Sequence, residues 1–124
     1  MATIVIKLFY AVLFASLLGQ GAYALCKLSD IQISQTPTGK KTATASEYLV
    51  TVKNNCGCTQ RNIVLSCPRF SSFENIDPAI LANYNREECV LLQNQPFKGY
   101  ATVQFKYAYF EKESFSPKRS EIQC

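Results

Sequence analysis

Apolar and polar positions alternate along much of the chain, and one stretch carries the pattern most clearly. From Glu47 to Cys67 the sequence reads EYLVTVKNNCGCTQRNIVLSC. Tyr48, Val50 and Val52 alternate with Leu49, Thr51 and Lys53, the signature of a strand with two distinct faces. Asn54-Asn55-Cys56-Gly57-Cys58 then supplies turn formers, with Gly57 free to take positive φ. Alternation resumes over Asn62–Ser66, where Ile63 and Leu65 share one face and Val64 takes the other. The stretch predicts a β-hairpin with Cys56 and Cys58 at its tip and Cys67 at the far end of its second strand. A hairpin alone is marginal in water and needs further strands or covalent ties.

The flanking chain predicts those strands. Cys26–Gln35 sets Ile31 and Ile33 opposite Gln32 and Ser34, a half-buried first strand. Residues 36–46, TPTGKKTATAS, contain Pro37, Gly39 and small hydroxyl residues, which together predict a loop. Lys40-Lys41 within it is a paired-basic sequence of the kind at which secreted precursors are cut, and is read first as a solvated turn. Beyond Cys67, Pro68 restricts any strand to start after it or to lie at an edge. Asp77-Pro78-Ala79-Ile80-Leu81 combines a capping acid with a proline at the first helical position, predicting one short helical turn. Arg86–Leu92 is extended around Cys89 and is broken by Asn94-Gln95-Pro96. Tyr100–Tyr107 is the best-patterned later strand: Ala101, Val103, Phe105 and Tyr107 face one way, and Thr102, Gln104 and Lys106 the other. Arg119–Cys124 predicts a last short strand. Roughly six to eight short strands and one helical turn make an all-β chain, most simply a disulfide-stabilised antiparallel β-sandwich.

The N-terminus changes the compartment. Lys7, the apolar run Leu8–Leu18 and the small-x-small site Ala22-Tyr23-Ala24 read as a signal peptide over residues 1–24. The run is too short and wrongly flanked for a membrane span, so no membrane anchor is expected. Residues 25–124 then form a single secreted cysteine-rich β-sandwich domain, with extracellular (apoplastic) localisation. All six cysteines, Cys26, Cys56, Cys58, Cys67, Cys89 and Cys124, follow the cleavage site, and an even number in an exported chain predicts three disulfides. A Cys56–Cys58 bond would close a very tight ring, so the two tip cysteines are expected to bond to different distant partners, at the chain ends or in the Cys89 segment. The connectivity is otherwise open.

Charge and chemistry remove function classes. The formal charge is +4, and loss of Lys7 leaves +3 on the mature chain. That surface suits an acidic partner or anionic wall polymers weakly. There is no basic run interleaved with aromatics, and nucleic acid is not an expected partner. Without histidine no Ser-His or Cys-His nucleophile pair can be built, and zinc knuckles are missing. The acids Glu87, Glu88, Glu111 and Glu113 read as solvated side chains; about 100 residues leave little room for a cleft with opposed carboxylates. The chain is not expected to be an enzyme, and no cofactor or metal is implied.

Binding remains, and aromatic residues are its informative class. Tyr109, Phe110 and Phe115 lie among Glu111, Lys112 and Glu113 just beyond the best-patterned strand. Aromatic and arginine side chains anchor many interfaces. Tyr107, Tyr109, Phe110 and Phe115, with Arg69 and Phe70, are therefore candidate receptor-binding residues; the competing reading makes the rings a lid over the core.

The ordered set of short motifs resembles the tapetum determinant family of small secreted plant signalling proteins. It runs through Tyr48-x-Val50-x-Val52-x-Asn54-x-Cys56 with Cys58, Ile63-x-Leu65-Ser66-Cys67, Phe70-Ser71-Ser72, Ile76-x-Pro78 and Cys89. It continues with Gln95-Pro96 to Gly99, Phe105-x-Tyr107-Ala108 and Ile122-x-Cys124. The chain departs from the family pattern before Phe-Ser-Ser, where Pro68-Arg69 replaces Gly-Trp. The resemblance implies an extracellular ligand for the ectodomain of a leucine-rich-repeat receptor kinase, acting in anther and tapetum cell-fate specification. The alternative is a carbohydrate-binding cell-wall protein without catalysis, whose exposed aromatics stack on glycan. A planar row of exposed rings on one sheet face would favour glycan, and a curved polar-aromatic patch spanning loops would favour a receptor.

Overall fold

A computed structural model describes residues 26–124; the expected signal peptide lies outside the described residues. Seven strands follow in order: β1 Ile31–Thr42, β2 Ala45–Asn54, β3 Thr59–Ser66, β4 Leu81–Asn83, β5 Glu88–Leu91, β6 Thr102–Tyr109 and β7 Ser116–Gln123. They form a three-stranded sheet ordered β1-β2-β6 and a four-stranded sheet ordered β4-β5-β3-β7. Every named pairing is antiparallel. The inner faces meet in one core: Ile31, Val50, Val52, Phe105 and Tyr107 from the first sheet pack with Ile63, Leu65, Leu81 and Leu91 from the second. The expected all-β disulfide-tied sandwich is the fold.

The stretch read as a hairpin is not one. β2 pairs with β1 on one side and β6 on the other, so it has no free edge for β3. Alternation placed Val50, Val52, Ile63 and Leu65 on buried faces, and all four are buried. They face each other across the sandwich instead of sharing a sheet. The segment 55–58 is thus a crossing between layers, organised by Asn54, which is fully buried. Its Nδ2 donates to the carbonyls of Cys58 at 2.8 Å and of Phe97 and Lys98 at 3.2 Å. Its Oδ1 accepts from the Cys56 amide at 3.3 Å.

The real hairpin lies upstream, where a loop was expected. β1 runs through Pro37 and Gly39 to Thr42 and returns as β2 after Ala43-Thr44. Ala43 turns with φ 50°. Pro37 is tolerated because β1 is an edge strand, where a missing N–H breaks no inner ladder. The register shifts between Pro37 and Lys41. Small polar residues predict a loop here because this arm is exposed on nearly every β1 position past Gln35; it has no core face to reveal a strand.

Three disulfides join Cys26 to Cys56, Cys58 to Cys124 and Cys67 to Cys89. Cys56 and Cys58 bond to different distant partners, as expected, and these lie at the two ends of the described residues. Asp77 caps a single turn, with its Oδ1 accepting from the Ala79 amide at 2.9 Å and its carbonyl from Ile80 at 2.9 Å. Two three-residue 3-10 turns occupy Leu28–Asp30 and Leu92–Asn94 instead. No helix among the described residues is long and apolar enough to cross a membrane.

Candidate functional site

The candidate aromatic residues separate into an inner and an outer cluster. The inner cluster centres on Tyr107, which is 0% exposed. β6 alternation turns it inward beside Phe105, and β2 brings Tyr48 opposite it. Tyr48 stacks on it at 5.4 Å, while Phe70 and Phe115 meet it edge-on at 5.5 and 5.7 Å. The Tyr107 hydroxyl donates to Gln35 Oε1 and accepts from the Glu113 amide at 2.8 Å. Burial pushes its phenol up to about 12. Tyr107 thus offers no accessible surface, and its hydroxyl holds the Glu113 amide of the loop 110–115. Phe70 and Phe115 are partly buried against the core and lie 5.1 Å apart, edge to face. For Tyr107 and Phe115 packing accounts for the aromatic side chain; Phe70 packs inward and also lines a surface cleft.

The outer cluster is Phe73, Tyr109 and Phe110. Phe73 stacks on Tyr109 at 5.5 Å with 24° between planes. It meets Phe110 at 5.0 Å and 73°, and Tyr109 and Phe110 lie 5.2 Å apart at 51°. Phe73 and Phe110 are 59% and 57% exposed, an uncommon state for neighbouring large apolar rings. The Phe73 backbone is nonetheless fixed. The Phe73 amide donates to the Ala108 carbonyl at 2.8 Å, and the Ala108 amide donates to Ser72 Oγ at 3.1 Å. Ser72-Phe73 thus closes part of the β6 edge. The tip of the β1–β2 arm completes the site: Thr42, Ala43, Thr44 and Ala45 line a cleft of about 320 Å³ with Phe73 and Phe110.

The arm is tethered by charge beside this site. Lys40 Nζ lies 3.9 Å from Glu47 and 3.5 Å from Glu74, and Thr38 Oγ1 donates to Glu47 Oε1 at 2.7 Å. A hydrogen bond between the two carboxyls holds Glu47 below the usual carboxylate range and raises Glu74 above it. Lys40, read as half of a solvated basic pair, is engaged in these contacts.

Arg69 lies elsewhere. It is exposed, with φ 53°, and it lines a separate cleft with Phe70, Asn83, Asn85 and Arg86. Of the six candidate residues, the structure brings Tyr109 and Phe110 to one surface, with Arg69 on another. It adds Phe73, which lies in an unpatterned segment; the only signal for it was its spacing three residues after Phe70. The sulfurs of Cys26, Cys58 and Cys124 approach one another closely enough to hold a metal. All three are in disulfides, and a bonded sulfur has no thiolate to offer.

Residues 27–124 match the family model described as "Tapetum determinant 1, C-terminal". Among curated proteins, the chain is 27% identical over 85 residues to "TPD1 protein homolog 1" of Arabidopsis thaliana, covering 67% of this chain and 48% of that relative. The chain thus spans about half the length of the curated relative it matches. No solved structure matches it significantly. With the family model covering nearly all of the described sandwich, the chain belongs to the tapetum determinant family.

Proposed function

We propose that the chain is a secreted plant signalling ligand that acts without catalysis by docking on the ectodomain of a leucine-rich-repeat receptor kinase, in anther and tapetum cell-fate specification. Family membership supports the signalling role, and three disulfides in so small a domain support an oxidising, extracellular setting. The observation that carries the docking role is the pair of exposed rings, Phe73 on a fixed backbone and Phe110 packed against it, beside an apolar cleft. Rings that are already positioned lose little conformational freedom on binding, which favours their use as anchors.

The ring planes favour a protein partner over stacking on neutral glycan. Phe110 is turned 73° from Phe73 and 51° from Tyr109, so the three do not form a flat platform. They make a curved patch from a loop, a strand end and the arm tip. The reading is tested by incubating the oxidised, secreted protein with a panel of receptor-kinase ectodomains. Saturable capture by one or a few is the expected result; no capture by any leucine-rich-repeat ectodomain contradicts it.

A further inference from the structure

A second cleft, about 610 Å³, is lined by Arg69, Phe70, Asn83, Asn85 and Arg86. It shares no lining residue with the Phe73–Phe110 patch. Its walls are two chain segments locked together. The Cys67–Cys89 disulfide ties them at the base. The Cys67 amide donates to the Glu87 carbonyl at 3.0 Å, and the Arg69 amide to the Arg86 carbonyl at 2.6 Å. Tyr84 and Asn85 amides both donate to the Glu88 carbonyl, at 2.9 and 3.2 Å, which closes the turn between β4 and β5. The backbones of Arg69 and Arg86 are thereby held together, and both residues line the cleft.

Two exposed arginines lining one cleft present a matched pair of guanidinium donors to an anion. Among the described residues neither arginine forms an ion pair. The neighbouring carboxylate is already committed: Glu88 takes Arg119 at 2.6 Å, Lys118 at 3.0 Å and the Asn85 amide at 2.8 Å. Asn85 is consumed by that bond and by accepting from the Glu87 amide at 2.8 Å. Asn83 Nδ2, on the cleft wall, has no acceptor among the described residues. The half-buried Phe70 ring completes the lining.

The geometry points to a site for a uronate oligosaccharide, a sugar chain that carries a carboxylate on each ring. A guanidinium fork matches a carboxylate in two parallel hydrogen bonds. The Asn83 amide suits a ring hydroxyl, and the Phe70 ring suits the apolar face of a sugar. An acidic peptide would use the two arginines and could offer a backbone carbonyl to the amide, but it has no flat array of C–H bonds for the aromatic wall. The site adds to the proposed receptor patch and does not depend on it.

The test is calorimetric titration of the oxidised, secreted protein with a galacturonate oligomer of defined length. Its fully methyl-esterified form and an oligo-glutamate of equal charge serve as comparisons, all at an ionic strength of about 0.15 M. The free-acid oligomer is expected to bind saturably and more tightly than either comparison. Arg69→Gln and Arg86→Gln should each weaken it about tenfold or more, as loss of a charge-assisted bond requires. Arg86→Lys, which keeps the charge but not the fork, should give an intermediate loss. Lys112→Gln, the same charge change outside the cleft, should leave binding intact. Melting temperatures of all four variants should match the parent. Absent binding, equal binding of the esterified oligomer or the oligo-glutamate, or equal weakening by Lys112→Gln would overturn the assignment.

Discussion

Two buried polar side chains show how single residues hold this small core. Tyr107 enters the core with its hydroxyl still paired, to Gln35 and to the Glu113 amide. Tyr107→Phe removes both contacts and leaves the Glu113 amide and Gln35 to find new partners. A loss of about 1–2 kcal/mol in unfolding free energy is expected, read by urea denaturation. The raised phenol also has a pH consequence. The folded state keeps a proton that the unfolded chain gives up above about 10, so stability should fall as pH climbs from 10 towards about 12. Glu88 works in the opposite sense. Hydrogen bonds from Arg119, then Lys118 and Asn85, hold its carboxyl down at about 2, against 4.5 for an ordinary glutamate. Its stabilising effect is complete above 4.5 and is lost as pH falls from there towards 2. Glu88→Gln should therefore lower the melting temperature at neutral pH and flatten the acid limb of a melting-temperature profile. An unchanged acid limb in that variant would mean that other carboxylates govern acid unfolding.

At the scale of elements, the crossing between the sheets is the feature on which the rest of the fold depends. Gly57 and Gly99 approach so closely that a Cβ built on Gly99 would sit 2.3 Å from the Gly57 carbonyl oxygen and 2.9 Å from its Cα. Backbone cannot yield as a side-chain tip does. Gly99→Ala should therefore destabilise by about 1–3 kcal/mol, the range for overpacking, and a melt equal to the parent's would show that the two segments are looser than described. This contact also explains what the amino-acid sequence made legible and what it hid. Alternation identified the buried faces of β2, β3 and β6, because burial on one face leaves its mark residue by residue. It carried no information on whether β2 and β3 share a sheet, since facing strands of a sandwich and paired strands of a hairpin show the same period. The long β1–β2 arm was hidden for the opposite reason: beyond Gln35 it buries almost nothing. Asn54 read as a turn former, and its buried role depends on carbonyls at residues 97 and 98, forty-odd positions away. The disulfide partners of the tip were foreseeable in kind from the CxC spacing, while the pairing itself came only with the fold.

At the scale of the whole molecule, the described sandwich, with Cys26 and Cys124 each tied to the crossing between its sheets, is a rigid frame for the loops and strand ends at its surface. Three of the five aromatic candidate residues pack into the frame. Tyr107, Phe70 and Phe115 pack inward, and the accessible surface is left to Phe73 and Phe110 with Tyr109 beside them. The charge of the surroundings could not separate these roles in sequence, because a strand end and the loop after it share the same polar neighbours. The proposed role of this outer cluster is to recognise a receptor, with little contribution to folding. It is tested most directly by changing Phe73 and Phe110 to alanine, singly and together, and measuring both melting temperature and affinity for the captured receptor ectodomain. Each single change is expected to weaken binding by about 2 kcal/mol, roughly thirtyfold, with the melting temperature close to the parent's. Intact binding, or a fall in melting temperature that accounts for the lost affinity, would contradict it.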